Sequence, residues 1–73
     1  MLKTYIIRTR YLEDGGWRTE EEEVTCSYDE AGRKASNKAK ELDAKYGNTH
    51  FWNVYLNNGE GESYFELFHG RTS

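Results

Sequence analysis

The chain contains no proline, a single cysteine and no apolar run long enough to span a bilayer as a helix. Without proline, repeats or low-complexity stretches there is no linker to divide the chain, so residues 1–73 form one small domain. Cys26 has no intramolecular partner, which excludes a disulfide framework and fits a reducing, intracellular setting. Met1-Leu2-Lys3-Thr4 is strand-like rather than a charged and apolar leader, so neither a signal peptide nor a membrane span is expected, and a cytoplasmic location follows. Cations are also short: ten Lys and Arg face thirteen Asp and Glu, for a net charge of −3. Non-specific binding to a phosphate backbone needs many Lys and Arg contacts, so direct nucleic-acid binding starts at a disadvantage.

Chemical motifs are equally scarce. Cys26, His50 and His69 are the usual nucleophile or metal candidates present, and no C-x-x-C or paired-His spacing links them. Gly15-Gly16 and Gly59-Glu60-Gly61 fall in hairpin turns rather than ahead of a helix, which excludes a phosphate loop. The carboxylates lie on strands and turns with no evident cleft for paired acid and base work. No catalytic residue, metal or cofactor is expected, and the chain does not read as an enzyme.

What remains is a helix surrounded by strands. Tyr28, Ala31, Ala35, Ala39, Leu42 and Tyr46 recur every three or four residues, one apolar stripe on an amphipathic helix from about Ser27 to Tyr46. Ser27 with Glu30 three residues on is a capping box, and Gly47 supplies the left-handed residue that ends the helix. Before it, Leu2–Leu12 and Trp17–Cys26 alternate as two strands around the turn Glu13-Asp14-Gly15-Gly16. A two-residue loop puts Tyr5 and Ile7 on one face with Val24 and Cys26, and Arg8 and Arg10 on the other near Glu21 and Glu23. After it come His50–Leu56, the turn Asn57-Asn58-Gly59-Glu60-Gly61 and Glu62–His69, with Arg71-Thr72-Ser73 as a frayed tail. The expected fold is α+β: a four-stranded antiparallel sheet of two hairpins with one helix on one face, in the order ββαββ.

One helix cannot cover both sides of four strands. Strict alternation sends Trp52, Val54, Leu56, Phe65 and Leu67 toward the helix and leaves Phe51, Tyr55, Tyr64 and Phe68 outward, joined by Ile6 and Trp17 from the first hairpin. A contiguous apolar patch on a small chain marks a contact surface, and Tyr, Phe and Trp carry interface energy; scattered aromatics that merely add cross-strand packing are the bland alternative. Glu20-Glu21-Glu22-Glu23 is the largest charge block. A row of carboxylates can imitate phosphates toward a positive protein surface, or simply guard an edge strand against aggregation. Arg33, Lys34, Lys38, Lys40 and Lys45 form a basic strip on the helix, where Glu30–Lys34 and Glu41–Lys45 at i,i+4 spacing also fit an ordinary solvated face.

Tyr5-Ile6-Ile7-Arg8, then Ser27 with Ala31, Arg33, Ala35 and Ser36, then two aromatic strands to the end, resemble small phage-encoded anti-CRISPR proteins, in particular an inhibitor of type I-F surveillance complexes. The resemblance implies non-catalytic occlusion: binding a CRISPR effector subunit of the host and blocking access of target DNA. The expected binding set is Phe51, Tyr55, Tyr64, Phe68, Trp17, Glu21 and Glu23 against a host protein complex. The rival functions are a nucleic-acid-binding regulator using Arg33, Lys34 and Lys38, and a homodimer that hides the aromatic face.

Overall fold

The Asp14-Gly15 turn sets the geometry of the first half of the chain. In the computed structural model, which describes residues 2–57 and 64–72 (backbone alone for 64 and 65), β1 (Lys3–Glu13) and β2 (Gly16–Cys26) form one long hairpin. Glu13 pairs with Gly16, so the loop has two residues; Gly15, the second, takes a positive φ of +86° while Asp14 does not, the pattern of a type II turn and not of the primed turns, with glycine where that pattern needs it. This register sends Tyr5 and Ile7 into the core with Val24 and Cys26 and sets Arg8 opposite Glu21. Arg10 faces Thr19 instead of a carboxylate, and Glu23 faces Ile6, so only one of the two expected charge pairs forms.

Ser27 starts α1 (Tyr28–Tyr46) by accepting the Glu30 backbone N–H at 3.4 Å. The Glu30 carboxylate accepts the Ser27 hydroxyl at 3.1 Å rather than reaching the backbone N–H of Ser27, so the box closes through side chains. Gly47 closes the helix at φ +71°, its N–H donating to the Asp43 carbonyl at 2.7 Å. Ala31, Ala35 and Ala39 are fully buried, and with no side chain beyond Cβ they bring the helix axis close to the sheet. Tyr46 stacks on Tyr11 at 5.5 Å, and Tyr28 packs on Phe68 at 4.8 Å, sealing the two ends while staying half exposed.

β3 (His50–Asn57) and β4 (Tyr64–Arg71) complete one antiparallel sheet in the order β2-β1-β3-β4. The fold is α+β, with element order ββαββ. The core lies between α1 and the central strands: Tyr5, Ile7, Val54, Ala31, Ala35 and Cys26, with Leu56, Trp52, Leu67 and Phe68 packed against it. The helix lies over β3, β1 and β4 and barely reaches β2. The predicted turn at Asn57–Gly61 falls, beyond Asn57, outside the described residues.

Two expectations about β4 are corrected. Val54 pairs with Phe68 and Tyr55 with Glu66, so Leu67 is an extra residue, a β-bulge that turns both Leu67 and Phe68 toward the core. Phe68 therefore lies under the helix, its ring 3.6 Å from where a Cβ on Gly32 would be, and not on the outer face. The tail is not frayed either. Arg71 ends the strand, and Thr72, 9% exposed, exchanges bonds with His50: the backbone N–H of each residue is held by the other, at 2.9 Å in both cases. The Thr72 hydroxyl also donates to the Asp43 carboxylate, which ties the end of β4 to the last turn of α1.

Candidate functional site

Because the helix leaves one side of the sheet bare, the candidate site is the open face together with the edge strand β2. Cross-strand pairing defines that face: Ile6, Arg8, Arg10 and Leu12 on β1; Trp17, Thr19, Glu21 and Glu23 on β2; Phe51, Asn53 and Tyr55 on β3; Glu66, His69 and Arg71 on β4. Of the expected binding set, Phe51, Tyr55, Trp17, Glu21 and Glu23 are on this side. Phe68 is not, for the reason given by the bulge, and the side chain of Tyr64 lies outside the described residues. Ile6 shares the face but is 6% exposed between Tyr55 and Glu23, so it supports the surface without being offered by it.

The surface divides along the strands into two halves. In the first, Arg8 sits 4.9 Å above the Tyr55 ring and bridges to Glu21 at 2.6 Å, which fixes the ring and one carboxylate through a single guanidinium. Asn53 donates to Glu66 at 2.5 Å beside it. The acidic strand β2 borders this half. Every residue from Gly16 to Glu23 is exposed, so the carboxylates of Glu20 and Glu22 on the helix side and of Glu21 and Glu23 on the open side all meet solvent. Lys38 reaches Glu22 at 3.3 Å, whereas Glu20 and Glu23 make no ion pair among the described residues.

In the second half, Phe51 is flanked by arginines on both neighbouring strands, Arg10 across β1 and Arg71 across β4. Trp17, 57% exposed, meets Phe51 edge-on at 5.7 Å and lies under Arg10 at 5.9 Å. The sequence reading missed this basic grouping because it assigned Arg71 to a loose tail and placed Arg10 against a carboxylate. The period-two alternation of Arg8 and Arg10, carried across the two-residue turn to Trp17, was the available signal for it.

Elsewhere most polar groups have structural partners, the buried Nε2 of His50 and Oδ1 of Asn48 being exceptions. His50 is fully buried beneath Tyr11 at 4.5 Å, with Nδ1 donating to the Asn48 carbonyl at 2.9 Å, and Cys26 is a buried thiol within the core. Tyr11, also buried, has its phenol pushed above the ordinary range, first by burial and then by Glu13, Tyr46 and Glu20, with Arg18 opposing. Neither expected i,i+4 pair on the helix forms; Lys38 instead bridges to Glu22, and Lys45 lies 5.2 Å over Tyr46. An exposed helical pair contributes only about 0.3–0.5 kcal/mol, too little to hold two long side chains together. Among the described residues no helix is long and apolar enough to cross a membrane, and no group of three His, Cys, Asp or Glu is placed to hold a metal. No protein family, curated protein or solved structure matches the chain.

Proposed function

We propose that the chain is a non-catalytic protein-binding inhibitor whose acidic edge strand and Tyr55 half occupy a nucleic-acid-binding surface of another protein. The observation that carries this reading is the exposure of Glu20, Glu21, Glu22 and Glu23 on an edge strand that the helix barely reaches. A strand advances about 3.3–3.4 Å per residue, and one strand of duplex DNA places a charge about every 3.4 Å along its axis. Successive side chains alternate sides, so each side of β2 offers a carboxylate at every second such step, Glu21 and Glu23 on the open face and Glu20 and Glu22 on the other, a row of negative charge of the kind a phosphate-binding groove receives. The tyrosine under Arg8 adds a rigid aromatic anchor of the kind that concentrates interface energy.

The target that the sequence resemblance implies is a type I-F CRISPR surveillance complex, with the inhibitor encoded by a phage or mobile element. Expressing the chain in a bacterium with active type I-F immunity should restore plaque formation by a targeted phage. The Tyr55→Ser variant, shown to be folded by circular dichroism, should restore it poorly. Full immunity in the presence of the soluble, expressed chain would reject that target.

A further inference from the structure

The second half of the open face has a different chemistry from the first, and we propose that it is a stacking site for an unpaired base of single-stranded nucleic acid, with Arg10 and Arg71 holding the adjoining phosphates. Phe51 stands on β3, an inner strand of the sheet, and the register puts one exposed arginine on each side of it. Neither Arg10 nor Arg71 makes an ion pair among the described residues, in contrast to Arg8, which is bound to Glu21. Glu13 is matched by Arg18 at 3.3 Å, and Glu66 accepts from Asn53 and not from either arginine.

An aromatic ring set between two guanidinium groups that make no ion pair among the described residues complements a ligand that is planar and anionic at once. Unpaired bases answer that description, because their faces stack on rings while their phosphates seek arginine. Trp17 extends the platform by a second, more exposed ring. A shallow depression of about 290 Å³ opens between Arg10, Phe51, Asn53, Glu66 and His69, whose polar side chains can meet the edge of a stacked base while the Glu66 carboxylate, bound by Asn53, sits on its β4 side. A double helix does not fit the same site, since its bases are already stacked and offer no free face. Although the chain carries a net charge of −3, the surplus lies on β2, and this corner of the sheet is locally positive.

This site stands apart from the protein-binding reading. Phe51 and Tyr55 are four residues apart on one strand, about 13 Å, so each half can be altered alone. The test is fluorescence anisotropy of a short labelled oligothymidylate with the full chain at low salt. Binding should weaken about sevenfold as salt rises from about 50 to about 200 mM, because two phosphate contacts on a single strand give a slope of about −1.4. Arg10→Ala and Arg71→Ala should each flatten that slope by about 0.7, and Phe51→Ala should weaken binding at least about fivefold. Tyr55→Ser should leave it unchanged.

An abasic oligonucleotide of the same length should bind several-fold less well. Equal binding of the abasic strand would overturn the proposal, since the ring would then contribute nothing. So would undiminished binding by Arg10→Ala and Arg71→Ala together with loss in a Lys34→Gln/Lys40→Gln variant, which would move the site to the helix. Comparable affinity for an oligoglutamate peptide would overturn it as well, by showing plain attraction for acidic chains. Both arginines are exposed, so their variants decide the question even if Phe51→Ala fails to fold.

Discussion

Individual side chains show where this small chain has no slack. A Cβ on Gly70 would lie 2.5 Å from Cζ2 of Trp52, far inside contact distance, so the Trp52 ring sits where any larger residue would need to be. Gly70→Ala should therefore lower stability by about 1–3 kcal/mol through overpacking, read as a drop in the thermal midpoint. Tyr11 provides a second check, in pH rather than volume. Its folded pKa is raised above the usual phenol value of 10.0, chiefly by burial, so the unfolded chain loses this proton first as pH rises. The contribution of Tyr11 is complete below that ordinary value and fades as pH climbs through the raised one. The thermal midpoint should accordingly fall at alkaline pH, and Tyr11→Phe should remove part of that fall; an identical alkaline profile in the variant would contradict the assignment.

At the scale of elements, most of the fold was legible because local signals agreed with one another. The Asp14-Gly15 turn, the Ser27 and Gly47 caps and the alanine stripe each specify one conformation, and all of them point to a ββαββ order. What escaped was the bulge at Leu67, which has no sequence signal: alternation in Tyr64–His69 continues unbroken on paper. In the folded chain the bulge sets the Phe68 ring beneath Gly32, a packing partner distant in sequence. Half of the aromatic surface expected on β4 thus became packing. Thr72 was misread for a similar reason, since its partners Asp43 and His50 are distant in sequence and appear only once the sheet is closed. Gly32 also makes a prediction for the helix. A methyl there would touch Phe68 at 3.6 Å, ordinary contact, while removing the helix penalty of glycine. Gly32→Ala should stabilise the chain by up to about 1 kcal/mol, which raises the midpoint by roughly 4–8 °C for a domain of this size.

For the molecule as a whole, the decisive feature is asymmetry. A chain of 73 residues buries only about 60% of its unfolded surface, and here one helix lies over the middle and one edge of the sheet while residues 16–23 of β2 stay exposed. The exposed stretch is the one that carries four consecutive glutamates, and the other half of the open face carries arginines around Phe51. Charge on an edge strand also discourages sheet-to-sheet aggregation, but that role needs only repulsion and is indifferent to what the carboxylates could grip. The measurement that separates the two is retention of target DNA by a purified type I-F surveillance complex incubated with the chain or with its Glu20→Gln/Glu21→Gln/Glu22→Gln/Glu23→Gln variant. The account predicts that the native chain displaces the DNA without cleaving it and that the folded, neutralised variant does not. Equal displacement by both, or DNA still held while the native chain is bound to the complex, would contradict it.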